Sequence, residues 1–252
     1  MRLLLTNDDG IFSEGLKILH QGLSRFGELW VFAPDRERSA VSHALTLDRP
    51  LRAEEIRTRW WAVSGTPADC VNLGVLHFMK DAPPDAVISG INFGLNVGDD
   101  VTYSGTVSAA FEAHILGLPG VAFSQETGRG ADLAAASRFS ASLLDFLLER
   151  ALLPRGAMFN VNFPARPFAG ARFTRLGKRH YQEGIVEKTD PRGKRYYWIG
   201  GEPAPGEPSS GTDFEALRDG KVSVTPLHLD LTDYASLTVC APAQEALDVL
   251  PV

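Results

Sequence analysis

The regular exchange of short apolar runs for helix-period segments constrains this chain more than any other feature. Leu3-Leu4-Leu5 reads as a strand, closed by Asn7-Asp8-Asp9-Gly10. Ser13 is a fitting N-cap for a helix with apolar residues at Leu16, Leu19, Leu23 and Phe26. The same exchange then recurs, with strands expected at 29–33, 60–63, 86–89, 121–123 and 159–163 and helices at 67–78, 107–116 and 133–148. That rhythm predicts an α/β fold, a Rossmann-like and mostly parallel sheet flanked by helices. Polar loops fall at 34–42 and 90–105, and 44–59 follows no clear period.

Beyond residue 170 the texture changes. Residues 171–200 are rich in Arg, Tyr and β-formers around Asp190-Pro191-Arg192-Gly193, which reads as a β-hairpin turn. A Pro/Gly/Ser/Glu loop at 200–211, a short helix at 213–218, a strand at 222–225 and a terminal helical stretch complete the chain. The expected division is therefore a catalytic core over 1–170 and a C-terminal segment over 171–252 that carries the hairpin and returns to the core. Tyr196, Tyr197 and Trp198 on a projecting hairpin suit a contact between copies, in a homodimer or homotetramer.

A net charge of -6 argues against a general nucleic-acid binder, which needs a basic face for counterion release. No apolar run reaches the roughly 18 residues that span a bilayer, and no three-part leader is seen. Cys70 and Cys240 belong to no CxxC motif and read as two buried thiols in a reduced compartment. The expectation is a cytoplasmic protein that engages neither membrane nor nucleic-acid polymer.

Three polar loops at strand ends carry the candidate chemistry, because open parallel sheets bind ligands beyond the carboxyl ends of their strands. The first offers Asp8 and Asp9, the second Ser39, the third Asn92 and Asn96. All are hard oxygen donors, suited to Mg²⁺, Mn²⁺ or Ca²⁺ rather than zinc. Taken alone, Asn7-Asp8-Asp9-Gly10 is an ordinary turn sequence. Two adjacent carboxylates nevertheless repel unless a cation sits between them or one is protonated. In the third loop, glycines allow a close backbone approach, and Ser104, Gly105 and Thr106 fall where the next helix begins, a natural seat for phosphate. It matches neither a Walker A loop nor GxGxxG, and its plainer reading is a long connection with Thr106 as N-cap. Arg36 and Arg38 flank Ser39 and could orient an anion. His43, His114, His180 and His228 show no metal-ligand spacing; His43 is the exception to a structural reading because it shares the loop of Ser39. These residues point to a metal-dependent phosphomonoesterase. A non-catalytic, metal-dependent nucleotide sensor on the same fold is the alternative, and a phosphotransferase the third reading.

The blocks LLTNDDG (4–10), APDRERSA (33–40), SGTPADCVNLG (64–74) and SGINFGLNVGDDVTYSGTVSAAFE (89–112) resemble, in order, the SurE family of metal-dependent 5′-nucleotidases. DPRGKRYYWIG, GTDF and VSVTPLHLDLT extend the likeness nearly to the end of the chain. The resemblance implies hydrolysis of nucleoside 5′-monophosphates, with 3′-nucleotides and short polyphosphate as further substrates, and one divalent cation per subunit. It implies metal ligands at Asp8, Asp9, Ser39 and Asn92, with Asp8 and Asp9 also catalytic. Phosphate contacts would come from Asn96, Ser104, Gly105 and Thr106. The position after Ser42, Asn in many members, is His43 here, a candidate for base recognition or catalysis.

Overall fold

The computed structural model describes residues 1–179, 184–199, 206 and 209–243. His180, much of the expected loop at 200–211 and the chain beyond 243 lie outside the described residues. In chain order the strands are β1 (Arg2–Thr6), β2 (Glu28–Pro34), β3 (Ala53–Arg57), β4 (Trp60–Val63), β5 (Ala86–Phe93), β6 (Gly120–Gln125), β7 (Met158–Phe163), β8 (Ala171–Phe173), β9 (Ile185–Thr189), β10 (Arg195–Ile199) and β11 (Val222–Leu227). The helices are α1 (Glu14–Leu23), α2 (Pro67–Leu73), α3 (Gly105–Ile115), α4 (Leu133–Glu149), α5 (Asp213–Arg218) and α6 (Tyr234–Cys240).

One sheet holds nine of these strands in the order β3-β4-β2-β1-β5-β6-β7-β11-β8. The six from β4 to β7 run parallel. The antiparallel strands lie outside this block: β3 against β4, and β11 against β7. β1 sits in the middle, and its side chains divide between two cores. Leu3 and Leu5 pack with Leu16, Leu19 and Leu23 of α1 and with Leu144 and Leu147 of α4. Leu4 faces the other way, among Phe32, Val71 of α2 and Ala109 and Ala113 of α3. Successive strand residues point to opposite faces, so a strand covered on both must be apolar at every position. That is why Leu3-Leu4-Leu5 shows no alternation.

The structure departs from the expected elements in five places. β5 does not stop at Ser89; past an irregularity in register, Asn92 and Phe93 still pair with Ser124 and Gln125 of β6. Gly90 permits this, with φ +125° and a would-be Cβ only 2.3 Å from the Phe123 carbonyl oxygen. The helix expected at 67–78 is α2 followed by a wider, π-type turn over Gly74–Phe78. The irregular 44–59 segment contains β3, an edge strand exposed along its whole length and so without an apolar signature. Residues 171–173 belong not to the hairpin but to the main sheet, as β8 beside β11. The antiparallel hairpin is β9–β10, its turn hydrogen-bonded from Gly193 N–H to Asp190 O. Last, only Cys70 is a buried thiol; Cys240 is exposed on α6. Among the described residues no helix is long and apolar enough to cross a membrane.

Candidate functional site

From β1 the chain moves to β2 and β4 on one side, then returns to β5, β6 and β7 on the other. Strand order therefore reverses between β1 and β5, the point at which open α/β sheets bind ligands beyond the carboxyl ends of their strands. Asp8 and Asp9 follow β1, Asn92 is the penultimate residue of β5, and α3 starts against Asp8. The approach is close: a Cβ at Gly105 would stand 2.9 Å from both Cβ and Oδ2 of Asp8.

Asp8 is buried, and the Thr106 hydroxyl donates to its Oδ1. The Thr106 backbone N–H also reaches this carboxylate, which thus sits at the positive end of α3. Burial nevertheless wins over these donors and raises the Asp8 pKa above the ordinary carboxylate value. Asp9 is half-buried and receives the Phe93 N–H, yet its Oδ2 is buried without any donor. Desolvation first, and the Asp8 charge second, push the Asp9 pKa up to about 7. Neither group is comfortable as an anion. Together they form a site that lacks positive charge.

The second loop arches over this pair. Arg38 N–H donates to the Asp8 carbonyl at 2.7 Å, and Ser42 donates through its backbone to Tyr103 O and through its hydroxyl to Thr102 O at 2.6 Å. Ser39 is exposed, and its hydroxyl donates to Glu37 Oε1 at 2.7 Å. Glu37, which sequence reasoning passed over, is near enough for its charge to raise both Asp8 and Asp9. Arg38 keeps a buried, unpartnered Nε, whereas Arg36 is exposed and paired with its neighbour Asp35. His43 lies further along, with Nε2 2.7 Å from Glu112 Oε2 on α3. Asn72 Nδ2 donates to the other oxygen of Glu112 at 2.9 Å. The imidazole is therefore held in place by Glu112 and Asn72, two residues inside the motif blocks 89–112 and 64–74 to which the sequence pattern assigned no role. His114 bonds the Gly156 carbonyl, in keeping with a structural part.

The third loop is folded differently from expectation. Ser104, not Thr106, is the N-cap of α3, its Oγ accepting from Val107 N–H at 3.1 Å. Thr106 is fully buried and turned onto Asp8, so its hydroxyl does not face an open phosphate seat. Asn96 is turned inward as well: Nδ2 donates to Ser124 Oγ at 2.7 Å in a buried setting. Asn92 is half-buried, its Nδ2 donating to Gly94 O at 2.9 Å, which orients the amide beside Asp9's partner Phe93. The structure thus brings Asp8, Asp9, Asn92, Gly105 and Thr106 to one place. It brings the backbone of the Ser39 loop there too, while the Ser39 side chain is engaged with Glu37.

These residues fit a hard divalent cation. The unpartnered Asp9 Oδ2 and the raised pKa values of both carboxyls are what a positive charge would relieve. Among the described residues no group of three His, Cys, Asp or Glu is arranged for a metal. Neutral oxygens from Asn92 and Ser39 would have to complete the shell, which favours Mg²⁺-like ions over zinc.

Comparison with known proteins bears on this geometry. The family model described as Survival protein SurE matches residues 3–183. A protein of Geobacter metallireducens named 5′-nucleotidase SurE is 54% identical over 94% of this chain and 95% of its own. One of Myxococcus xanthus with the same name is 51% identical, over 94% and 90%. The crystal structure of the Sure protein from Aquifex aeolicus superposes with a TM-score of 0.85 at 41% identity, covering 97% of this chain and all of that one.

The raised carboxyl pKa values set a pH dependence. A group protonated more readily in the folded than the unfolded state loses stability for the fold as pH climbs from the unfolded pKa to the folded one. For Asp9 that window runs from the ordinary carboxylate value near 3.8 to about 7. Chelator-treated protein should therefore lose urea stability across this window relative to Asp9→Asn. Parallel pH profiles for the two proteins would show that Asp9 carries no such penalty.

Proposed function

The chain belongs to the survival protein SurE family, and from that premise we propose that it is a divalent-cation-dependent 5′-nucleotidase. It hydrolyses nucleoside 5′-monophosphates to nucleoside and phosphate, with 3′-nucleotides and short polyphosphate as secondary substrates. The observation that carries this reading is the pair of buried Asp8 and half-buried Asp9 at the switch point, with Asp9 Oδ2 lacking any donor. Asp8, Asp9, Asn92 and Ser39 would hold one Mg²⁺ or Mn²⁺ per subunit, with the Ser39 hydroxyl, which here donates to Glu37, as the fourth oxygen. The enzyme works in the cytoplasm as a homodimer or homotetramer, with the β9–β10 hairpin as the contact. Exposed Ile185, Tyr197, Trp198 and Ile199 on that hairpin support the last point.

When bound, the cation supplies charge neutralisation at the phosphate and a more acidic water. The chain's own groups supply position and field. Asp8 is bonded by the Thr106 hydroxyl and packed against Gly105, so it acts by holding and orienting. Asp9 is the more open of the two and is the better placed to accept a proton or to meet the substrate. Ser104 and Gly105 open α3, and the positive end of that helix stabilises charge gathering on the equatorial phosphate oxygens. Asn96 and Thr106 shape this seat from beneath rather than touching phosphate. His43, steadied by Glu112, borders the substrate side. The relatives named as 5′-nucleotidases weigh for an enzyme over a nucleotide sensor.

Two measurements check this. With Mn²⁺ and a panel of nucleoside monophosphates, purified protein should release phosphate, and EDTA should abolish the release. Asp8→Asn and Asp9→Asn should each lower kcat/KM by at least about 100-fold with the fold intact; full activity in either would remove that residue from the site. Thr106→Val deletes only the hydroxyl that orients Asp8. It should weaken Mn²⁺ binding by roughly 10-fold or more, as loss of a partner to a metal ligand does. Calorimetric titration showing unchanged Mn²⁺ affinity would reassign Thr106.

A further inference from the structure

The mid-loop residue Asn96 is clamped from β7 at both of its backbone groups. Its N–H donates to Asn162 Oδ1 at 2.8 Å. Its carbonyl accepts from Asn160 Nδ2 at 2.7 Å and from Asn162 Nδ2 at 3.0 Å. Both β7 asparagines are wholly buried. Two residues on, Gly98 N–H donates at 2.8 Å to Oδ2 of Asp213, the first residue of α5 and also fully buried. The other oxygen of Asp213 takes the Gly177 and Phe214 N–H groups.

Burying amide side chains inside a strand is costly unless each finds a partner, and here they serve a loop outside their own strand. Asn160 even leaves its Oδ1 buried without a partner. A plain apolar residue at 160 would remove that orphan, so a role in packing alone does not explain the amide. The loop they grip links Asn92, beside the carboxylates, to Ser104 and Gly105 at the start of α3. Asn92 is held in the sheet by its pairing with Ser124 of β6, so a shift of even a fraction of an ångström in this connection misaligns the other end, Ser104 and Gly105.

We propose that Asn160, Asn162 and Asp213 are positioning residues for phosphate binding, acting through Asn96 and Gly98 on the loop between Asn92 and Ser104. This rests on the nucleotidase reading above. None of the three touches substrate; they set the path of the backbone that does. The clamp acts on the phosphate side of the site and leaves the carboxylate pair, held by Thr106 and Phe93, as it is.

The test uses the full chain, with inorganic phosphate as a competitive inhibitor of nucleotide hydrolysis and Mn²⁺ titrated separately. Asn162→Ala removes two hydrogen bonds to Asn96 and should raise the inhibition constant of phosphate about tenfold. Asn160→Ala removes one, leaves Asn162 on the same carbonyl and eliminates an orphaned oxygen. It should fold as well as wild type and raise that constant about threefold. In both, Mn²⁺ affinity should stay within about twofold of wild type. A purely structural role would lower thermal stability and leave phosphate and Mn²⁺ affinities unchanged in the folded fraction, which would overturn the proposal. Equal losses of phosphate and Mn²⁺ affinity would overturn it too, since the clamp would then serve the whole site. A wild-type protein that releases phosphate while Asn160→Ala and Asn162→Ala bind it normally refutes the clamp alone. A wild-type protein that hydrolyses no nucleotide refutes the nucleotidase reading and the clamp with it.

Discussion

Two neighbouring carboxylates withdrawn from water at one spot, Asp8 wholly and Asp9 in part, form an arrangement that folding alone does not favour. Asp8 and Asp9 both lose hydration where they sit, and the Asp8 charge makes Asp9 harder still to ionise. Glu37 adds a third negative charge from the loop above. Thr106 and the start of α3 relieve part of this for Asp8, but nothing in the described residues does so for Asp9 Oδ2. The deficit is of positive charge and of hard-cation character. The rest of the site is arranged around it.

The fold delivers that deficit to one place by topology. Because β1 and β5 are neighbours while their successors run in opposite directions, their end loops cannot close over one another. Loops from β2 and β5 are then fastened across the gap, Arg38 to the Asp8 carbonyl and Ser42 to residues 102 and 103. Glu112 and Asp69 tie the same stretch down from the helices, through His43 and through both the N–H and the hydroxyl of Thr46. The proposed cation site and the proposed phosphate seat are thus parts of one fastened unit. Its attachments are mostly buried side chains on elements that never reach the ligand.

Much of this was legible in the residues. An all-apolar Leu3-Leu4-Leu5 followed by Asn, Asp, Asp and Gly announces a central strand and its polar end, and the α/β exchange places Asn92 next door. The attachments were not legible. Asn160 and Asn162 alternate with apolar residues in β7 and look like polar positions of an ordinary strand. Glu112 lies in a helix whose buried face includes Ala109, Ala110 and Ala113, so no periodicity isolates it. Thr106 at a helix start suggests phosphate because helix starts favour anions; the carboxylate that it meets is that of Asp8. β3 carries no signal because an exposed edge strand has no buried face to pattern, and residues 171–173 look like part of the hairpin because short β-prone runs carry no partner information.

Diffraction from Mn²⁺-soaked crystals, collected at the manganese absorption edge, tests the central claim most directly. An anomalous peak within coordination distance of oxygens from both Asp8 and Asp9 is predicted, with Asn92 beside it. A peak elsewhere in the molecule, with the two carboxylates unliganded under the same soak, would contradict it.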